Sequence, residues 1–229
     1  MTKKKLKVAY VIGNGLSREG FDLKKLDKCI TAGCNSIYKD FQPNYLIAID
    51  RWMDDSPCFA IERLLCKKVT KKNPRKWTYV TRKMVDALWW MAVDDEPVIA
   101  EIALNRGFCH NSGMYASLLL SQVQRYDVVY MIGFDFFRNV LDEDGKQQPN
   151  DVYGGTYESH SGMIKVWNHM FNGAPTSRIV DDKVIIENAI DTKFVRVGPM
   201  ADADRDFYAT ELDNLEYIEN FADMPICKA

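Results

Sequence analysis

The feature of this sequence that most restricts its fold is a set of short apolar segments that stop at glycine or at small polar residues. Four of these segments cover residues 6–12, 29–33, 45–49 and 127–132. The first stops at Gly13 and the last at Gly133. Apolar segments of this length between turn signals are typical of buried strands, so we predict four strands here.

Helices are predicted between and after these strands. Residues 22–28 follow the first glycine turn, Ser112 can cap a second helix, and a third carries Trp167 and Phe171 on one face. Further strands are predicted at 78–81, 177–180 and 184–190, and a C-terminal helix at 204–221. This alternation predicts the α/β class, with a Rossmann-like parallel sheet and helices on both of its faces.

The length of 229 residues fits a single domain, which we predict to span 1–229. Residues 52–92 are rich in lysine, arginine and tryptophan and show a strand pattern only at 78–81, so we interpret them as a helical insertion or lid. A polar loop covers 138–160 and contains a turn signal at Asp144-Gly145. Loops of this length are usually functional, which indicates an active-site loop or lid.

Composition restricts the location and the partners of the protein. The formal net charge of -2 supplies no overall attraction to nucleic acids. The six cysteines form no CxxC pair, and no signal-like apolar core follows the first lysines, which indicates a cytoplasmic protein with reduced thiols. No apolar run approaches the roughly 20 residues of a membrane-spanning helix, so no membrane span is expected.

The candidate site lies beyond the carboxyl ends of the strands, where parallel α/β sheets bind their ligands. The residues predicted at this edge are Gly13, Asn14, Gly15, Ser17, Asn35, Asp50, Ser112, Gly113, Gly133 and Asp135. Glycines let the backbone approach a ligand closely, asparagine and serine form neutral hydrogen bonds with ribose or phosphate, and helix N-termini favour anions. Together these residues predict a nucleotide-binding cradle.

Other motifs decide between kinds of chemistry. The sequence contains no GxGxxG, Walker lysine, HExxH or GxSxG motif. The triplet Asp142-Glu143-Asp144 is similar to an acidic metal-binding triplet, but it abuts Gly145, so we interpret it as a solvated turn and predict no metal site. His160 follows the long loop, and its unperturbed pKa of about 6.5 suits a general base. A surface or capping histidine is the alternative.

Four motifs occur in a fixed order: Asn14-Gly15-Leu16-Ser17, Cys34-Asn35, Ser112-Gly113-Met114-Tyr115 and Ile132-Gly133-Phe134-Asp135-Phe136. This set resembles the bacterial sialyltransferases of glycosyltransferase family 42, over roughly residues 7–171. Looser versions occur in related Rossmann-like proteins, including flagellin-modifying factors and archaeal pterin pyrophosphokinases. The resemblance implies donor-nucleotide contacts or a place beside the reacting groups for Asn14, Gly15, Ser17, Asn35, Ser112, Gly113, Gly133 and Asp135.

The resemblance also implies catalytic roles. The family's general base lies in a His-Ser pair that opens a helix, and this pair corresponds to His160 and its neighbour. Leu16 and Phe137 depart from the family: the first replaces a proline, and the second a tyrosine that assists the departing phosphate. Tyr153 or Tyr157 is the candidate for that assistance. Asp50 replaces an asparagine and is the candidate for stabilising positive charge on the sugar ring.

These features predict an inverting, metal-independent glycosyltransferase, GT-A-like without the metal motif, that uses a nucleotide-sugar as co-substrate and needs no other cofactor. The acceptor is a glycan hydroxyl or a hydroxylated DNA base, as in phage DNA modification. The basic and aromatic stretch 67–83 favours the nucleic acid, and a solvated lysine face is the alternative. An ATP-dependent pterin pyrophosphokinase-like enzyme and a non-catalytic nucleotide- or nucleic-acid-binding module remain open. The sugar, the nucleotide and the oligomeric state also stay open.

Overall fold

The protein is seen in a computed structural model. The model describes residues 5–48, 78–81, 90–93, 96–97, 111–135, 142–155, 167–168, 170–173, 175–180, 183–200 and 212–227. The strands, in chain order, are β1 Val8–Ile12, β2 Thr31–Cys34, β3 Tyr45–Ala48, β4 Thr78–Thr81, β5 Trp90–Val93, β6 Glu96–Pro97, β7 Val128–Ile132, β8 Pro175–Val180, β9 Lys183–Ala189, β10 Lys193–Val197 and β11 Leu215–Ile218. Helix α1, Ser112–Leu118, continues into a π-helical turn, Leu119–Val123.

The main sheet has seven strands in the order β11-β10-β7-β1-β2-β3-β4, and each neighbouring pair is parallel. From β1 the chain moves outward through β2, β3 and β4. It then returns to the opposite side of β1 and moves outward again through β7, β10 and β11. This reversal of direction at β1 is the Rossmann-like arrangement, so the predicted α/β class with a parallel sheet is confirmed.

Side chains from both faces of the sheet are buried, because layers of chain cover each face. On one face, α1 and the helical residues around Trp167 pack against Val11 and Met131. On the other face, short 3₁₀ turns and the C-terminal segment pack against Tyr10 and Ile12. This two-sided burial explains why β1 and β7 are almost wholly apolar in sequence.

The structure corrects three predicted elements. The helix predicted at 22–28 is a 3₁₀ turn, Leu23–Leu26, capped by the Asp22 carboxylate, because two leucines three residues apart fit a 3₁₀ turn as well as an α-helix. The cap of α1 is Asn111, whose side chain accepts a hydrogen bond from the Met114 N–H at 2.8 Å. Ser112 is therefore the first helical residue and not the cap.

The C-terminal helix predicted at 204–221 is wrong in its described part. Leu212, Leu215 and Ile218 stand three residues apart, which favours a helix in sequence, but residues 215–218 form β11 at the edge of the main sheet. An edge strand with one neighbour needs no regular alternation of apolar residues. Strand β10 beside it was not predicted from the sequence.

The predicted insertion and the predicted active-site loop both contain described elements. Within 52–92, β4 is an edge strand of the main sheet, whereas β5 belongs to a second sheet of four strands in the order β6-β5-β8-β9, whose pairs are antiparallel. Within 138–160, residues 142–155 form turns, and a bridge joins Asp151 to Gly15. In the described part of the chain, no helix has the length and apolar character needed to cross a membrane.

Candidate functional site

A cleft with a volume of about 640 Å³, which includes the open solvent at its mouth, lies at the carboxyl ends of β1, β2 and β7. It therefore occupies the point where the strand order reverses, the usual ligand site of this type of sheet. The residues that line it are Gly13, Asn14, Gly15, Cys34, Asn35, Asn111, Ser112, Gly113, Gly133, Phe134, Asp135, Asn150 and Asp151.

The turns after β1 and β7 form the floor of the cleft and are bonded to each other. The Gly15 N–H donates to the Gly133 carbonyl at 2.9 Å. A Cβ atom added at Gly13 would collide with the same carbonyl, and Gly133 itself has a φ of +72°. These glycines are therefore required because the two backbone segments lie so close together. They would also let a ligand approach the backbone.

Asp135 fixes the glycine turn from below. Its carboxylate accepts a hydrogen bond from the Ser17 N–H at 2.8 Å and pairs with the Arg196 guanidinium at 3.3 Å. Both side chains of the ion pair are buried. Arg196 also donates to the carbonyls of Phe134, Gly198 and Pro199. Both Asp135 oxygens are therefore engaged by protein donors. The role that these contacts indicate for Asp135 is to hold the cleft together.

One wall of the cleft joins β2 to the start of α1. Ser112 donates a hydrogen bond from its hydroxyl to the Asn35 side-chain oxygen at 2.8 Å. Asn35 has a φ of 45°, a left-handed conformation that asparagine tolerates better than most residues. Asn111, the residue before Ser112, caps the start of α1. The predicted Cys-Asn and Ser-Gly motifs are thus in direct contact.

The opposite wall comes from the 142–155 segment. The Val152 N–H donates to the Asn14 carbonyl at 2.9 Å, next to the bridge between Gly15 and Asp151. The Asp151 carboxylate accepts hydrogen bonds from the N–H groups of Tyr153 and Gly155, at 2.7 and 2.9 Å. The wall is consequently a tight turn that is attached to the backbone of the glycine turn.

The chemistry of the lining is mostly neutral and polar. Four asparagines and one serine contribute side chains, and the two carboxylates, Asp135 and Asp151, are both engaged by protein donors. Among the lining residues that the structure describes there is no lysine, arginine or histidine. Amide and hydroxyl groups of this kind suit the uncharged polar parts of a ligand, such as a base or a ribose.

Asn14 has an unused acceptor. Its side-chain oxygen is buried and has no hydrogen-bond partner among the described residues. A buried acceptor without a partner costs about 1–3 kcal/mol. Because Asn14 lines the cleft, a ligand N–H or O–H group that reached this oxygen would recover that free energy.

The structure brings most of the predicted cradle together. The predicted residues that line the cleft are Gly13, Asn14, Gly15, Asn35, Ser112, Gly113, Gly133 and Asp135. Ser17 is buried beside the cleft and donates its backbone N–H to Asp135. Tyr153 lies behind the wall, where its hydroxyl contacts Asp40 and Arg18 and not the cleft. The ligand contacts of all these residues stay predictions.

The predicted catalytic residues Asp50, Tyr157 and His160 lie outside the described residues, as do all the basic residues of 67–83. Their roles also stay predictions. The acidic triplet is exposed, and Asp142 accepts hydrogen bonds from the N–H groups of Asp144 and Lys146 within its own turn.

Sequence reasoning missed three residues of the cleft lining and two arginines that bond to the residues around it, namely Asn111, Asn150 and Asp151 in the lining and Arg18 and Arg196 outside it. Two of them had a usable signal. Asn111 directly precedes the Ser-Gly motif and is a favoured N-cap residue, and Asp151 precedes a Tyr-Gly-Gly sequence in which an Asx turn is common. Arg196 had none, because its partner is 61 positions away in the chain.

The fold and the cleft together define a class: an α/β protein with a Rossmann-like parallel sheet and a neutral, polar cleft at the reversal point of its strand order. A scan against protein-family models, a search of curated proteins and a search of solved structures each found no match.

Proposed function

We propose that this protein is a nucleotide-sugar-dependent glycosyltransferase that holds the nucleoside part of its donor in the cleft described above. The observation that carries the proposal is the convergence of three strand ends and one helix start around a single polar cleft at the reversal point of the sheet. This is where nucleotides bind in doubly wound α/β proteins. The residue motifs that resemble glycosyltransferase family 42 are the ones that meet there.

The neutral lining favours the nucleoside over the phosphate as the occupant of the described cleft. Side-chain amides and a hydroxyl match the donors and acceptors of a base and a ribose. The Asn14 side-chain oxygen, which has no partner in the described part of the chain, matches a ribose hydroxyl or an exocyclic amine. In this proposal the phosphate and the sugar extend toward the part of the loop that carries Tyr157 and His160.

The transfer step follows from the resemblance. His160 removes the proton of the acceptor hydroxyl while the acceptor oxygen forms a bond to the anomeric carbon. The bond from that carbon to the nucleoside phosphate breaks, and the phosphate leaves from the opposite face, so the configuration inverts. Tyr157 is the proposed donor to the leaving phosphate, since the Tyr153 hydroxyl is bonded to Asp40, and Asp50 is proposed to stabilise positive charge on the ring.

Binding is tested by isothermal titration with CMP, UDP and ADP and by thermal shift with their sugar derivatives. A ligand at about 100 times its dissociation constant adds roughly 2.7 kcal/mol of stability. Asn14→Ala should weaken the affinity for the bound nucleotide about tenfold, as expected for the loss of one hydrogen bond in a buried site. Because this acceptor has no partner among the described residues, the same change should leave the stability of the free protein unchanged or slightly higher.

Asn172→Ala is the matched control, since Asn172 is exposed in a turn away from the cleft lining. Asn172→Ala should change neither the affinity for the nucleotide nor the stability of the free protein. The proposal of nucleotide binding fails if none of the three nucleotides binds, or if Asn14→Ala binds as tightly as the unchanged protein.

Catalysis is tested separately, by following sugar transfer to glycan acceptors and to hydroxymethylated DNA with and without EDTA. We expect transfer that survives EDTA and that His160→Ala abolishes without loss of nucleotide affinity. ATP-dependent, EDTA-sensitive pyrophosphate transfer to a pterin would favour the pyrophosphokinase alternative instead. Nucleotide binding without any transfer, unaffected by His160→Ala, would indicate a binding module.

A further inference from the structure

Behind the 142–155 wall of the cleft lies a compact polar cluster formed by Tyr153, Asp40, Arg18 and Lys39. The Tyr153 hydroxyl donates a hydrogen bond to the Asp40 carboxylate at 2.7 Å and accepts one from the Arg18 guanidinium, also at 2.7 Å. Arg18 itself pairs with Asp40 at 3.1 Å. The ring is held as well, because Arg18 and Lys39 lie 5.3 and 5.0 Å from its centroid.

We propose that Tyr153 is a positioning residue that fixes the cleft wall carrying Asn150 and Asp151, and that it thereby sets the affinity of the cleft for its nucleotide. The part about the nucleotide rests on the proposed function. Tyr153 itself does not line the cleft, so it acts through the residues beside it.

The path from Tyr153 to the cleft is short. The Tyr153 N–H is bonded to the Asp151 carboxylate, and the Asn150 N–H is bonded to the Gly155 carbonyl at 3.0 Å. This turn is compact, since a Cβ atom added at Gly155 would collide with the Asp151 carboxylate. A displacement of the tyrosine ring therefore moves Asn150 and Asp151 with it.

The cluster also reaches the glycine turn from its other end. Arg18 is the last residue of the 3₁₀ turn Leu16–Arg18, which directly follows Gly15, and its side chain is buried. The wall is thus joined to the segment after β1 at two places: at the cleft, through the hydrogen bond from Val152 to Asn14, and behind it, through Tyr153 and Arg18. Loss of the tyrosine hydroxyl leaves only the first of these joints intact.

The protonation state of the tyrosine agrees with this arrangement. Burial raises the pKa of the Tyr153 hydroxyl above its ordinary value, and the hydrogen bond to Asp40 raises the same pKa further. The hydroxyl therefore remains a donor to the carboxylate at every pH at which such a protein is normally assayed.

Tyr153→Phe removes the hydroxyl and keeps the ring between its two cations. The matched control is Tyr10→Phe, because the Tyr10 hydroxyl is also partly buried and donates to a loop carbonyl, that of Pro225 at 2.6 Å, outside the cleft lining. Each variant removes only a tyrosine hydroxyl: Tyr10→Phe loses a hydrogen bond to a neutral carbonyl, and Tyr153→Phe loses two hydrogen bonds to charged groups. Each is titrated with CMP, UDP and ADP by calorimetry, and the exchange of backbone amide hydrogens is measured without ligand.

We expect Tyr153→Phe to weaken the affinity for the bound nucleotide about tenfold, because the hydroxyl makes two hydrogen bonds to charged groups. We also expect faster exchange at the Val152 amide, which is bonded to Asn14. Tyr10→Phe should change neither quantity. In an Asp40→Asn background, Tyr153→Phe should cause a smaller additional loss of affinity than it does alone, since the two residues act as one unit.

The proposal is overturned if Tyr153→Phe keeps its affinity within about twofold and its exchange at Val152 unchanged, or if Tyr10→Phe causes equal losses, which would indicate a general loss of stability. If none of the three nucleotides binds to the unchanged protein, the proposed function fails, and the exchange measurement alone decides on the positioning role. Faster exchange at Val152 confined to Tyr153→Phe would then support it, and equal protection in both variants would reject it.

Discussion

The buried ion pair between Asp135 and Arg196 yields the sharpest test of how the cleft is built. In Asp135→Ala the Ser17 N–H loses its acceptor and the Arg196 guanidinium loses its countercharge. In Asp135→Asn a side-chain oxygen can still accept from Ser17, but the charge is gone. The two variants therefore separate the hydrogen bond from the ion pair.

The magnitude follows from the surroundings of the two groups. Removing one partner of a buried ion pair costs about 3–5 kcal/mol, and the lower half of that range applies here because Arg196 keeps three carbonyl acceptors. The stranded Ser17 N–H adds about 1 kcal/mol. We therefore expect a loss of about 4 kcal/mol for Asp135→Ala and about 3 kcal/mol for Asp135→Asn.

The assay is urea unfolding followed by tryptophan fluorescence and circular dichroism, with the free energy of unfolding obtained by linear extrapolation. The control is Glu216→Gln, which breaks the exposed ion pair between Lys193 and Glu216 at the edge of the same sheet. Exposed ion pairs contribute at most about 1 kcal/mol, so Glu216→Gln should change the free energy of unfolding little. Asp135→Asn combined with Arg196→Met should cost at least about 2 kcal/mol less than the sum of the single changes.

Two results would refute this reasoning. One is a loss below about 1 kcal/mol for Asp135→Ala, which would mean that the carboxylate does not hold Arg196 or Ser17 in solution. The other is simple additivity of Asp135→Asn and Arg196→Met, which would mean that the two side chains do not interact.

Three further predictions concern other parts of the structure. Gly13→Ala should lower the free energy of unfolding by more than the roughly 1 kcal/mol expected for Gly145→Ala. The added methyl meets a backbone carbonyl at Gly13 and open space at Gly145, and urea unfolding of the two variants measures the difference. Asn111→Ala should remove about 1 kcal/mol of stability by uncapping α1, and Asn111→Ser should restore most of it; equal melting of both variants would contradict the cap. Burial raises the pKa of the Cys29 thiol to about 11, so the folded state binds this proton more tightly than the unfolded state. The stabilisation is complete below about pH 9 and is lost as the pH rises to about 11, and Cys29→Ala should flatten the decline of unfolding free energy in that window.

The sequence was informative about the sheet where burial decides the pattern. Strands β1 and β7 lie in the middle of the sheet and are covered on both sides, so nearly every residue is apolar, and the polar chain that follows stands out. The same reasoning located Gly13, Asn14 and Gly133 at the cleft. It failed at β11, because an edge strand with an exposed face has no distinctive pattern.

The connections that fix the site could not be predicted, because they join distant parts of the chain. Asp135 and Arg196 meet only after β10 has paired with β7, and nothing in the local sequence of either residue indicates the other. Tyr153 or Tyr157 was predicted to assist the departing phosphate, because Phe137 stands where the resembled family has a tyrosine. The contact of Tyr153 with Asp40, 113 positions earlier, directs its hydroxyl away from the cleft.

The strand order has a consequence for the protein while it is being synthesised. Both glycine turns and Asp135 leave the ribosome well before Arg196, whose strand adds to the free edge of β7. In a nascent chain that ends before β10, the Asp135 carboxylate that bonds to the Ser17 N–H therefore has no Arg196 countercharge. We expect ligand-binding competence to arise only after β10 has been synthesised and has closed that edge of β7.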